Sequence, residues 1–191
     1  MKKQSVTRVG FDLDGVLLYN PSRIVRPFIS RFKKIIFPKK RLHFYYPKSS
    51  PEKFMWYLIH KSSLFVSPGI REIERLVKEG KIEAYIITAR YSFLGKDLQR
   101  WLKKRNLDHI FAGVYFNERD NQPHLFKEKT IRKLGVSMYV EDNYDIVEYL
   151  SGKKTARVYW IYNMMDRGIH YPRKYPSLAE AVEAIKHETE V

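Results

Sequence analysis

The run Gly10-Phe11-Asp12-Leu13-Asp14-Gly15-Val16-Leu17 constrains this chain more than any other stretch. Val6 to Phe11 reads as a short β-rich segment, so two carboxylates leave the end of a strand. A glycine directly after them lets the chain turn sharply. Side chains at i and i+2 of a strand share a face, which lets Asp12 and Asp14 reach one site. Taken alone, a D-x-D-G is also a common turn with capping acids. Its place at the tip of the first strand argues for a site.

The rest of the chain alternates strand and helix. Ser67-Pro68-Gly69 opens a helix, with Ser67 as N-cap and Pro68 at the first helical position. Ile70, Ile73, Leu76 and Val77 recur along it at helical spacing, and Gly80 stops it. Strands are expected over Ile82 to Thr88, Phe111 to Phe116, Val136 to Val140 and Ala156 to Tyr162. Helices are expected over Phe93 to Arg105, His124 to Leu134, Tyr144 to Leu150 and Leu178 to Ile185. Nearly continuous apolar strands separated by helices imply a parallel sheet covered on both faces.

Charge is unevenly spread over the 191 residues. Lys and Arg number 36 against 21 acids, a formal +15. Residues 20–66 hold eleven of the basic residues and one acid, Glu52, so a quarter of the chain carries two-thirds of the excess. Within this stretch Phe28, Ile29, Phe32, Ile35 and Ile36 fall on one side of a helical pattern from Pro27 to Phe37. Ser50-Pro51-Glu52 is a further helix start. Such a balance points to a polyanionic neighbour: nucleic acid, an acidic membrane face or a phosphorylated substrate. With no cysteine, thiol nucleophiles, disulfides and zinc ribbons are excluded. No apolar run approaches the roughly 20 residues of a membrane span. A Met-Lys-Lys-Gln-Ser start that leads straight into a strand makes a cytoplasmic location the expectation.

Three more features follow in order. Thr88 ends the second strand, Lys127 with Lys129 close by opens a later helix, and Glu141-Asp142-Asn143 ends the strand after it. Singly, each has a bland explanation as a cap or a solvated charge. Jointly they lie where separate strands deliver them to one edge of one sheet, where ligands bind in open α/β folds.

With these four motifs the chain resembles the haloacid dehalogenase-like (HAD) hydrolase superfamily everywhere except the basic stretch. The resemblance implies an α/β, three-layer Rossmann-like core with a parallel sheet and a small helical cap inserted after the first strand. The core would be residues 1–17 and 67–191, the cap 18–66. It implies Asp12 as nucleophile, Asp14 as general acid and base, and Thr88, Ala89, Arg90 and Lys127 (or Lys129) as binders of the substrate phosphate. It further implies Mg²⁺ on Asp12, Asp142 and the backbone carbonyl of Asp14, with Glu141 and Asn143 behind them. Dehalogenases of the superfamily lack an acid at the position of Asp14, so a phosphomonoesterase is expected.

Ile87-Thr88-Ala89-Arg90 and Trp160-Ile161-Tyr162-Asn163 are similar to the 5'(3')-deoxyribonucleotidase-like branch, which implies a nucleotide or a related small phosphate ester. The cap departs from that branch in its basic, Pro- and Tyr-rich composition. His43-Phe44-Tyr45-Tyr46 beside Lys39-Lys40-Arg41 mixes aromatic rings with positive charge, which suits nucleic acid. The Pro27 to Phe37 stretch suits an anionic membrane surface. Phosphorylated nucleic-acid ends, or a non-catalytic nucleic-acid or membrane adaptor, are the alternatives.

Overall fold

A computed structural model of the protein describes residues 6–19, 42–61 and 65–190. In chain order the strands are β1 (Thr7–Phe11), β2 (Leu18–Tyr19), β3 (Phe65–Val66), β4 (Ile82–Tyr91), β5 (Gly113–Asn117), β6 (Met138–Glu141), β7 (Arg157–Ile161) and β8 (Lys174–Tyr175). The helices are α1 (Ser50–Lys61), α2 (Ile70–Lys78), α3 (Gly95–Lys104), α4 (Pro123–Leu134), α5 (Tyr144–Gly152) and α6 (Leu178–Glu190).

Six strands form one sheet in the order β5-β4-β1-β6-β7-β8, parallel at every pairing. Alternate side chains enter two cores, as a pleated strand requires. Val9, Phe11, Ile86, Val140, Tyr159 and Ile161 pack with α2, α3 and α6. Tyr85, Ile87, Tyr139, Val158 and Trp160 pack with α4 and α5 on the other face. The molecule is therefore a three-layer α/β sandwich with a Rossmann-like parallel sheet, as the strand and helix pattern implies. Gly10 is needed for close approach, because a Cβ there would lie 2.8 Å from the Tyr139 ring. From β1 the chain builds outward through β4 and β5, then returns to β1's other side with β6. Strand order thus reverses beside β1, and the crevice at that reversal is where the sheet's carboxyl ends open.

Several local expectations are corrected. Ser67 does not cap α2; its hydroxyl donates to the Val16 carbonyl at 2.6 Å, and the helix begins at Ile70 after Gly69. A tie to the neighbouring loop outcompetes the cap. α1 is capped one residue earlier than Ser50: the Glu52 amide donates to Ser49 Oγ at 3.4 Å and Glu52 Oε2 accepts from the Ser49 amide at 3.2 Å. β4 runs on to Tyr91 rather than ending at Thr88, a 3₁₀ turn at Ser92–Leu94 precedes α3, and α6 reaches Glu190.

The ends of the 18–66 stretch come together as an antiparallel ribbon, Leu18 against Val66 and Tyr19 against Phe65. The expected Pro27 to Phe37 helix and Lys39-Lys40-Arg41 lie outside the described residues. Among the described residues no helix is long and apolar enough to cross a membrane.

Candidate active site

Asp12 continues β1 by donating its amide to the Val140 carbonyl at 2.9 Å, which fixes the carboxylate at the sheet's carboxyl edge. Leu13, Val16, Leu17 and Leu18 then bury themselves in the core, so the turn carrying Asp14 is anchored by apolar side chains. Gly15 adopts φ +84°, and a Cβ there would overlap the Asp142 carboxylate. This glycine is required twice, for its backbone angle and for the acid beside it.

Sheet order sets Asp12 between the tips of β4 and β6. Thr88, Lys127, Glu141 and Asp142 are all buried there. Lys127 comes from the second turn of α4, and Nζ reaches Glu141 Oε2 at 2.6 Å and Asp12 Oδ2 at 3.1 Å. Lys129 is exposed, so of the two candidate lysines only Lys127 is at the cluster. Glu141 is held on both oxygens, since Oε1 accepts from the Asn143 amide at 3.1 Å. The Asn143 side chain caps α5 by accepting from the Asp145 amide at 3.1 Å.

Two extra residues in β4 aim Arg90. Thr88 pairs with Phe116 and Tyr91 with Asn117, leaving Ala89 and Arg90 as an irregularity of the ladder. Arg90 Nε and Nη2 each donate to one oxygen of Asp14, both at 2.7 Å, in a buried fork. Arg90 was expected on a substrate phosphate; in this state its fork is engaged with the acid two residues beyond Asp12.

Electrostatics make the cluster short of positive charge. Burial pushes the Asp12 carboxyl up, with Asp142 and Asp14 adding to the rise and Lys127 opposing it. Burial likewise pushes Glu141 up to about 8, against the pull of Lys127. Lys127 itself is disfavoured as a cation by burial, but Asp12 and Glu141 outweigh that and raise it.

A hard divalent cation fits these residues. Ligand oxygens of Asp12, Glu141 and Asp142 lie within 4.8 Å of one another. Asp12 Oδ1 is buried and receives no hydrogen bond. With Glu141 held by Lys127 and an amide, Asp12 and Asp142 are the better ligands, and carboxylate oxygens are what Mg²⁺ prefers.

Some site-supporting residues were not legible from motifs. Trp160 Nε1 donates to the Asp142 carbonyl at 3.2 Å, and the Tyr139 hydroxyl donates to the Ile87 carbonyl at 2.8 Å. Asp120 and Gln122 bind the 42–48 strap: Asp120 Oδ2 accepts from the Tyr46 hydroxyl at 2.9 Å, and Gln122 Oε1 accepts from the Phe44 amide at 2.7 Å. Trp160 falls in a run singled out for another reason, and for Asp120 and Gln122 the only hint was polarity in the loop after the third predicted strand.

No family model matches the chain, and no curated protein matches it in sequence. Solved structures do match it. A putative beta-phosphoglucomutase from Thermotoga maritima is similar over 95% of this chain and 99% of its own, at TM-score 0.57 and 16% identity. A HAD-superfamily hydrolase from Ehrlichia chaffeensis is similar over 98% of both, at 0.53 and 14%. The chain has the HAD fold. CbbY from Rhodobacter sphaeroides, solved in complex with phosphate, is similar over 92% of this chain and 96% of its own, at 0.59 and 15%. At such identities the likeness carries the HAD fold and leaves the substrate to the site. The nucleotidase-like branch is not among these three neighbours.

Proposed function

We propose that the protein is a Mg²⁺-dependent phosphomonoesterase acting through an aspartyl-phosphate on Asp12. The observation that carries this reading is the unpartnered, buried Asp12 Oδ1 beside Asp142, with Lys127 on the other oxygen. A bound dication would neutralise the phosphoryl oxygens so that a carboxylate can approach them. Lys127 and Thr88 hold the remaining oxygens of the phosphoryl group. Asp12 attacks phosphorus and splits one hard displacement into two easier ones. Asp14 protonates the leaving oxygen and then takes a proton from the water that opens the intermediate. Its fork with Arg90 uses both of its oxygens as acceptors, so a proton on either one weakens the fork. Arg90 released in this way is a cation within reach of the substrate.

The Thr88-Ala89-Arg90 run and Tyr162-Asn163 favour a nucleotide, with residues 18–66 as the cap over the site. The nucleic-acid alternative has fewer rings to use than the sequence promised. Phe44 is half-buried against the core, Tyr46 is half-buried against the Tyr91 ring, and Tyr45 is the exposed ring of the three.

The test is phosphate release from nucleoside monophosphates, sugar phosphates and 5'- or 3'-phosphorylated oligonucleotides, each with Mg²⁺ and with EDTA. Mg²⁺-dependent turnover strongest on nucleoside monophosphates is expected. Turnover unaffected by EDTA overturns the metal. Preference for oligonucleotides that weakens steeply with salt moves the substrate to nucleic-acid ends.

A further inference from the structure

Lys174 takes no part in the chemistry above. It opens β8 opposite Trp160 of β7, and its side chain turns into the loop after β7. Nζ donates to three backbone carbonyls there, those of Asp166 at 3.1 Å, Arg167 at 2.6 Å and Ile169 at 2.6 Å. An ammonium has three protons, so three acceptors complete it. Two rings close further sides, with Nζ 4.6 Å from the Tyr162 centroid and 5.3 Å from that of Trp160. Carbonyl dipoles and π faces converging on one point make a monovalent-cation site, and the chain fills it with its own side chain. Emptied, the same three carbonyls would face one another uncompensated, and the loop would be left with only the Asn163 cap and its own turn hydrogen bonds.

One wall of this cage reaches the candidate metal centre. Trp160 is buried, its Nε1 donates to the Asp142 carbonyl, and Tyr144 at the start of α5 packs on its ring at 4.6 Å. The Asp142 backbone sets where its carboxylate begins. That backbone is held by the indole on which the Lys174 ammonium rests.

We infer that Lys174 is a tethered monovalent cation that orders residues 162–170 and, through Trp160, positions Asp142 for the divalent cation. It is a positioning residue, with Trp160 and Asp142 standing between it and the metal. The link to metal binding rests on the phosphatase reading; the cage does not.

The test uses the full chain with Lys174→Ala, which empties the cage, and Lys174→Met, which fills it with an apolar chain. Residue-resolved amide exchange over 163–170 and the Trp160 indole N–H resonance report the cage, and Mg²⁺ calorimetry reports the link. In Lys174→Ala the amides should exchange about 10-fold faster or more, the scale of one lost charge-assisted hydrogen bond, and the indole resonance should move. Ammonium chloride should restore both, whereas tetramethylammonium chloride, which has no N–H to donate, should not. Mg²⁺ should bind roughly 10-fold more weakly and recover with ammonium. Lys174→Met should show the losses without recovery.

Unchanged exchange and indole signal in Lys174→Ala, or equal rescue by the two salts, overturns the cage. Wild-type Mg²⁺ affinity in Lys174→Ala overturns the link to Asp142. If the cage behaves as expected but the wild-type protein binds no Mg²⁺, the phosphatase reading fails and the tethered cation stands.

Discussion

In the proposed reaction Asp12 does two things at once, and its two oxygens divide them. Oδ2 is steadied by Lys127 while Oδ1 meets no donor, an arrangement that disfavours the free protein and favours a bound dication. Asp12→Asn keeps the shape and removes the proposed nucleophile, so turnover should fall on the order of 10³-fold or more, above about 4 kcal/mol of barrier. Near-normal turnover in a clean preparation would show that another group attacks. Away from the cluster, His124 is buried between the Phe44 and Tyr149 rings, and its Nδ1 has no hydrogen bond. Burial lowers its pKa from the ordinary 6.5, with Glu128 opposing and His43 adding to the drop. The folded state therefore binds fewer protons than the unfolded one. The stability this neutral ring lends is full above about 6.5 and is lost as pH falls through the lowered value. His124→Phe should keep the packing and lose the titration. Urea unfolding at pH 7.5 and 5.5 should show the wild type losing more stability than the variant, and parallel losses would refute the assignment.

At the scale of elements, the 42–48 strap is held more by single residues than by any ladder. Asp120 is the hub: it takes the Tyr46 hydroxyl, the Ser92 amide at 2.8 Å and the Ser92 hydroxyl at 2.8 Å. Asp120→Ala should cost about 1–3 kcal/mol and speed tryptic cleavage after Lys48. Cleavage at the wild-type rate would mean that the strap is held elsewhere. Elements with strong periodicity were legible: Ile73, Leu76 and the apolar strands admit one burial pattern, and boundaries moved by only a few residues. Thr88, Glu141 and Asp142 were legible because the carboxyl ends of parallel strands all face one edge, and Lys127 because the helix that carries it starts on that same edge. The two-residue strands β2, β3 and β8 were not, since a pair of residues has no period to detect. Nor was the β4 irregularity, because only its partner strand reveals that Ala89 and Arg90 are extra. The Lys174 cage escaped for a similar reason: its acceptors are backbone carbonyls, which no side-chain pattern encodes.

For the molecule as a whole, the order reversal beside β1 concentrates acids where the sheet is held most firmly, with neighbours on both edges and helices on both faces. A ligand bound there should therefore stabilise the entire fold. Mg²⁺ at 100 times its dissociation constant contributes about 2.7 kcal/mol, which for a chain of this size raises Tm by roughly 5–10 °C over EDTA. Asp142→Asn should abolish most of that rise, and a rise that survives the substitution would place the ion elsewhere.

The β2–β3 ribbon bears on how such a chain can change. Departure and return at residues 18–19 and 65–66 are stitched together by four residues, so the chain sets out on the loop between them and comes back at one place. Swapping that loop for one of different size or charge leaves the register of all six parallel strands alone. Selection can thus rewrite what the rim admits while the acidic floor around Asp12 stays fixed.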